Sequence, residues 1–285
     1  MYKNKVLLAQ LSLILVTLVW GCTFTIVKEA LNDCPPFAFA AWRFTIAAIG
    51  CLLFLDWKKP FFTRYELIGG LICGILLFFG YSFQNFGLLY TSPTKSAFIT
   101  GTCILMVPIL LILLRVQVIH LKIWIASSLA LIGLYLLLNP DGQGLNRGDI
   151  LTFGCALSFA IHIIVQNNYT RKSRTMFLFF PQIVTVAVLS FILHPIFEVQ
   201  QITWTNQLIL TLLITGLIAT LFGVGTMVWA QKILSPSRTA IIFSMEPVFA
   251  ALFAMLFIGD FLPLLGWVGG GLIVAGVIYG ESGGE

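Results

Sequence analysis

The chain has 285 residues, of which 59% are hydrophobic and only 9% charged, and its mean hydropathy is +1.00. Soluble domains carry roughly 25% charged residues, so this composition excludes a water-soluble protein and requires a polytopic membrane protein. The net charge of +5 would suggest a nucleic-acid partner in a soluble chain. Here the basic residues lie between apolar runs, where they set topology, and no nucleic acid is expected.

Ten apolar runs are long enough to cross about 30 Å of hydrocarbon at about 1.5 Å per residue. They fall near 6–27, 36–55, 67–89, 95–114, 119–138, 149–168, 176–197, 206–230, 237–257 and 261–280. The longest connection is Asn139–Gly148, NPDGQGLNRG, a turn-rich segment between the fifth and sixth runs. Gly280–Glu285, GESGGE, carries no structural signal. Of the six cysteines, five lie inside apolar runs and none forms a Cys-x-x-Cys pair, which argues against a disulfide framework or a zinc site.

Counting Lys and Arg sets an orientation. Twelve of the 16 fall on the side of the amino terminus, among them Lys58, Lys59, Arg64, Arg171, Lys172 and Arg174. Only Lys28, Lys95 and Arg147 fall opposite, and Arg43 is inside a span. The positive-inside rule places both termini in the cytoplasm, with the chain in the inner cell membrane.

The sequence also repeats. Ser92–Ile99, SPTKSAFI, matches Ser235–Ile242, SPSRTAII, at an offset of 143 residues. Without a gap, Phe79-Gly80 falls on Phe222-Gly223, Trp124 on Trp267 and Gly133 on Gly276. Repeats of 6–138 and 149–280 with five spans each must enter the membrane in opposite senses. The expected fold is therefore an all-α polytopic membrane protein of ten transmembrane helices in two inverted five-helix repeats. Inverted repeats mark secondary transporters, whose substrate site lies near the midplane.

The ninth run holds Glu246-Pro247 at mid-depth. A carboxylate there costs about 2.5–3.5 kcal/mol on insertion scales, and the proline removes a backbone donor. Lipid tolerates neither unless the site faces protein or water. Two uses are open for Glu246. Facing a cavity, it can couple transport to protons. Held by donors freed around Pro247 or by a basic side chain, it is a structural lock or gate. A single acid favours the lock, because proton relays commonly use chains of such groups.

Polar stripes at helical spacing point the other runs toward a common centre. Ser158, His162 and Gln166 lie on the sixth; Tyr81, Gln84 and Asn85 on the third; Gln182 and Thr185 on the seventh; Ser96 and Thr100 on the fourth. Thr17, Gly21 and Thr25 mark the first, and Gly216, Thr220 and Gly223 the eighth. Small and hydroxyl residues read as interhelical glue. The large polar groups Gln84, Asn85, His162 and Gln182 are expected to line one aqueous space. With Tyr81, Thr100, Gln166 and Glu246 they form the candidate substrate-binding set. Arg43 either clamps an anionic group or serves a structural pairing or snorkels. Lys95 is a gate, a substrate anchor or a solvated helix end. Pro108 and Pro247 are gating or structural.

No His-Glu-x-x-His motif or carboxylate cluster suggests a metal, and no phosphate-binding loop suggests ATP use, so no cofactor is expected. An intramembrane lipid enzyme would need a nucleophile, a metal or an acid pair. A channel would usually show charged rings or a filter sequence. Neither pattern is visible.

Val19-Trp20-Gly21 with Phe24, Pro35-Pro36, Arg43-Phe44, Gly80-Tyr81 with Gln84, Tyr90-Thr91-Ser92 leading to Phe98-Ile99-Thr100-Gly101, and Glu246-Pro247-Val248-Phe249 with Gly259-Asp260 together make both halves resemble the EamA-type domain of the drug/metabolite transporter superfamily. The resemblance runs from about Leu8 to Tyr279. It implies ten helices, cytoplasmic termini, a central cavity, and export or exchange of small metabolites, often amino acids. The partners implied are a small-molecule substrate and the lipid bilayer, with a homodimer left open. Two departures stand out. Cys103 occupies the first-half position of Glu246, and Pro108 comes 16 residues after Ser92 whereas Pro247 comes 12 after Ser235. That difference is about one helical turn, which makes the halves unequal where they meet the cavity.

Overall fold

The computed structural model describes residues 2–56, 58, 62–116, 118–138, 145–258 and 263–281. Positions 139–144 of the connecting segment, Lys59, the Gly259-Asp260 pair and residues 282–285 lie outside the described residues.

Ten rods follow in order. They are α1 (Tyr2–Ala30), α2 (Pro36–Leu52), α3 (Arg64–Tyr90), α4 (Pro93–Gly101 and Cys103–Leu113), α5 (Leu121–Leu138), α6 (Arg147–Thr170), α7 (Thr175–Phe197), α8 (Asn206–Leu213, Ile214–Val224 and Gly225–Ala230), α9 (Pro236–Phe243 and Glu246–Ile258) and α10 (Leu264–Glu281). The middle piece of α8 is a π-helix. Among the described residues seven of the rods are apolar enough over 18 residues or more to cross a membrane, and α2 and α5 are shorter apolar helices. Helices satisfy their own backbone, which is why apolar runs of this length take no other form in lipid.

The starts of several rods are written locally. Pro93 and Pro236 take the first helical position after Ser92 and Ser235, where a missing N–H costs nothing. Thr63 with Glu66, and Asn146 with Asp149, form reciprocal capping boxes at the starts of α3 and α6.

Packing follows the repeat. α3 lies on α6 and α7, and α8 lies correspondingly on α1 and α2. α1 packs on α9, mirrored by α6 on α4, and α5 pairs with α10. At that last crossing a Cβ on Gly133 would sit 2.5 Å from the Gly269 carbonyl oxygen, so only glycine allows the two backbones to meet. The architecture is the expected one of ten transmembrane helices in two inverted five-helix repeats, and most large contacts join one repeat to the other.

The prolines are out of register by a turn, yet the two discontinuous helices break at matching points. α4 breaks at Thr102 and α9 at Ser244-Met245, again 143 residues on. Pro108 is buried inside the second piece of α4, and the helix runs through it. At both breaks a hydroxyl donates to the carbonyl three residues back, Thr102 Oγ1 to Ile99 and Ser244 Oγ to Ile241, each at 2.6 Å. Such bonds compete with the helical ladder.

Candidate substrate cavity

Between the repeats lies a cavity of about 70 Å³. It has room for several waters and is smaller than the roughly 300–1,000 Å³ of ligand pockets. Trp20 and Phe24 of α1, Arg43 of α2, Tyr81 and Gln84 of α3, Thr100 and Cys103 of α4, Phe159 and His162 of α6, Met227 of α8, and Glu246 and Pro247 of α9 face it. The second pieces of α4 and α9 begin at Cys103 and Glu246, so both breaks open onto this space. A helix start favours negative charge, which suits Glu246. Gly21 makes room for the α9 break, since a Cβ there would lie 2.8 Å from the Glu246 carbonyl oxygen.

Arg43 is 3% exposed and does not reach the interface. Its Nε donates to Thr220 Oγ1 at 2.8 Å and its Nη2 to the Tyr81 hydroxyl at 3.3 Å. Its guanidinium carbon lies 4.4 Å from the Tyr81 ring centre. Tyr81 is itself held edge-on by Phe44 and Phe159. His162 Nε2 lies 3.2 Å from Gln182 Oε1. Thr100 Oγ1 lies 3.9 Å from Cys155 Sγ. The Glu246 carboxylate has no hydrogen bond or ion pair among the described residues. The donors expected of a lock around Pro247 are therefore not on it.

Of the proposed set, Tyr81, Gln84, Thr100, His162, Glu246, Arg43 and Pro247 come together on the wall. Gln182 stands behind His162. Asn85 is buried and donates from Nδ2 to the Pro36 carbonyl at 3.3 Å. Gln166 donates from Nε2 to Gln231 Oε1 at 2.7 Å, and Gln231 donates to the Ile163 carbonyl at 3.1 Å. Asn167 completes that network on the carbonyls of Gln231 and Leu234. Asn85, Gln166, Lys95 and Pro108 are thus not on the cavity wall. Asn85, His162, Gln166 and Gln182 are all buried within the protein.

The two ends are closed differently. Toward the amino-terminal side the amide network and a cluster around Leu13, Val107, Leu111, Leu234 and Ile241 lie below the cavity. Toward the other side a second apolar cluster around Val27, Leu31, Phe39, Leu88 and Leu208 is joined by polar contacts. Lys95 Nζ lies 2.7 Å from Asp149 Oδ2, Thr91 Oγ1 donates to Asp149 Oδ1 at 2.8 Å, and Lys28 donates to the carbonyls of Leu88 and Thr91. On the amino-terminal side Arg174 grips Glu66 with Nε at 2.8 Å and Nη2 at 2.7 Å. The Glu66 hydrogen bonds push the Arg174 pKa above its ordinary value.

Glu66 and Asp149 were not singled out from the sequence, although the Thr63-x-x-Glu66 and Asn146-x-x-Asp149 patterns are capping signatures. Each carboxylate both caps its own helix and takes a cation from another. The Arg43 partner Thr220 read as glue.

Comparison with known proteins agrees with the geometry. The model of the EamA-like transporter family matches residues 7–139 and again 146–279. An uncharacterized transporter of Archaeoglobus fulgidus is 37% identical over 274 residues, covering 96% of this chain and 86% of the relative. The uncharacterized transporter YoaV of Bacillus subtilis is 25% identical over 280 residues, covering 94% of each. An S-adenosylmethionine uptake transporter of Rickettsia prowazekii is 26% identical over 155 residues, 53% of this chain and 52% of its own. A protein of known crystal structure shares the fold, with a TM-score of 0.80 over 97% of this chain and 96% of its own at 17% identity. Two family matches in tandem, one per five-helix repeat, and a relative alike along nearly the whole length leave one assignment: the chain belongs to the EamA-like transporter family.

Proposed function

We propose that this transporter is a secondary carrier of small organic metabolites, amino acids among them, that works by alternating access as an exporter or exchanger. The repeats 6–138 and 149–280 rock about the cavity between them. One observation carries the reading. A guanidinium, Arg43, and a carboxylate, Glu246, face the same enclosed space, and neither has an ion-pair partner among the described residues. Buried charges need partners or water, and a substrate with complementary groups supplies them. Tyr81, Gln84, Thr100 and His162 add directional hydrogen bonding, and Trp20, Phe24 and Phe159 an aromatic surface.

The two ends of the cavity, each an apolar cluster with polar contacts, are the two gates. With the basic-rich side in the cytoplasm, the end built around Leu13, Val107 and Leu234 closes the inner mouth. Cysteines at Leu145 and Lys172, both exposed, test this orientation in a cysteine-free background. Impermeant reagent should label Leu145→Cys in intact cells and Lys172→Cys only after lysis. Equal labelling would overturn it.

The function is tested by a thermal-shift screen of purified protein against amino acids, nucleobases, sugars and S-adenosylmethionine. The last is included because relatives carry that name. A ligand at 100 times its dissociation constant adds about 2.7 kcal/mol of stability. Compounds that shift the melt should then show saturable counterflow in proteoliposomes. Flux without trans-stimulation would point to a channel, and chemical conversion to an enzyme.

A further inference from the structure

We propose that the π-helical segment Ile214–Val224 of α8 is the positioning element of the cavity, with Thr220 aiming the Arg43 guanidinium at an anionic group of the substrate. This rests on the transport reading above. Two consecutive residues of the segment hold two cavity walls that belong to two other helices. The Thr220 hydroxyl accepts from Arg43 Nε of α2 at 2.8 Å. The Ala219 carbonyl accepts from the indole Nε1 of Trp20 on α1, also at 2.8 Å. Thr220 and Ala219 are fully buried, so each bond is shielded from competing water.

The π geometry and the neighbouring glycine make this possible. A π-helix turns each residue by less than an α-helix, so neighbouring positions stay on one face for longer, and its i→i+5 turns are frequent at functional sites. Gly223 lets the indole in, for a Cβ there would lie 2.8 Å from Trp20 Nε1. Returning the segment to an α-helical register would turn Thr220 and Ala219 relative to α1 and α2 and release both side chains.

The consequence is a fixed fork. A guanidinium has five N–H groups. Thr220 takes the Nε edge and Tyr81 takes one hydrogen on Nη2. The remaining three have no protein acceptor among the described residues, and the side chain faces the cavity. With one edge pinned and the plane set over the Tyr81 ring, those donors match a planar oxyanion such as a carboxylate. Thr220 is therefore a positioning residue that never touches substrate.

Nitrogen-15 labelling of arginine tests the placement without any ligand. The Arg43 Nε–H signal, identified by its absence in Arg43→Gln, should exchange slowly in the wild type and in Thr220→Ser. In Thr220→Val it should exchange at least about tenfold faster, since a hydrogen bond to a charged group is worth about 1.5–3 kcal/mol. Thr220→Ala serves in its place if the valine variant does not fold. Unchanged exchange in the folded variant overturns the proposal. Counterflow tests the consequence, using a carboxylate-bearing compound from the screen and its matched amide. Thr220→Val should raise KM for the acid about tenfold, with the maximum rate within about twofold, change the amide less than about twofold, and be rescued by Thr220→Ser. Equal effects on acid and amide, or transport confined to compounds with no anionic group, overturn the anion clamp. The spectroscopic change without counterflow of any compound supports the placement of Arg43 by Thr220 and sinks the transport reading instead.

Discussion

α4 and α9 begin on matching prolines, break 143 residues apart, and carry at each break a hydroxyl bonded to the carbonyl three residues back. Beyond the break they part. α4 resumes at Cys103, which is buried, and meets its proline only at Pro108 inside the continuing helix. α9 resumes at Glu246 with Pro247 in the first turn, where proline is tolerated. The break is therefore common to both halves although their prolines fall differently. Chemistry has been added to one half only. The first pieces differ too. Lys95 of α4 reaches Asp149 in the other repeat, whereas its counterpart Arg238 pairs with Glu281 in its own at 2.5 Å. One broken helix thus ties the repeats together at its end, and the other presents charge at its centre.

Removing that charge should have the largest effect. Glu246→Gln keeps shape and loses ionisation, so the variant should insert and melt like the wild type. Its counterflow should fall at least about tenfold, the scale of one lost interaction with a charged group. The sharper test moves the acid. A Cys103→Glu, Glu246→Cys double variant puts it at the matching break of α4, and counterflow should not recover. Recovery to wild-type rate would show that the two breaks are equivalent. A wild-type rate flat across roughly pH 5.5–8.5 would assign Glu246 to gating. A rate that follows pH and becomes flat in Glu246→Gln would assign it to proton coupling.

How far such features can be read from sequence depends on whether their signal is local. The repeat, the ten spans and Glu246-Pro247 were legible because membrane insertion penalises charge and backbone gaps residue by residue. His162, Gln84 and Arg43 were legible for the same reason. The i, i+4 spacing gave a face but not the neighbour opposite it. Gln166 shares a stripe with His162, yet one turn along the face meets Gln231 of the α8–α9 connection instead of the cavity. Asn85 follows Gln84 by about 100° and so turns to the Pro36 carbonyl. Thr220 is a hydroxyl among glycines, as glue would be, and only the packing of α2 on α8 shows Arg43 beside it. Nothing local announces the π segment.

The gates extend the comparison from the centres of α4 and α9 to their ends. Asp149 is fully buried and the Lys95 side chain 18% exposed, so the pair lies between an exposed bridge of up to about 1 kcal/mol and a buried one whose rupture costs about 3–5. Asp149→Asn keeps the size of the side chain and removes its charge. If the pair holds its end of the cavity shut, a change of about 1.4 kcal/mol raises the open population about tenfold. A cysteine at Ala97, buried on the cavity wall, should then react about tenfold faster with an impermeant reagent. Unchanged reactivity in a folded variant would make Lys95 a helix-end charge with no gating role, and α4 and α9 would differ only at their centres.

The smallest expected effect falls on what the two helices share. Removing the hydroxyls with Thr102→Ala and Ser244→Ala deletes one hydrogen bond each. The acceptor is not orphaned in either case, because Ile99 O also accepts from the Thr102 N–H at 3.1 Å and Ile241 O from the Ser244 N–H at 3.2 Å. The usual penalty for an unmet buried acceptor is thus absent, and each variant should lose only about 0.5 kcal/mol, the low end for a hydrogen bond. In thermal melts that is a shift of about 1–2 °C. Ser244 is buried and Thr102 partly exposed, so any difference should put Ser244→Ala slightly lower. A loss several times larger at Ser244 alone would show that the hydroxyl, with Pro247 behind it, holds the α9 break by itself. The two breaks would then be alike in position and different in cause.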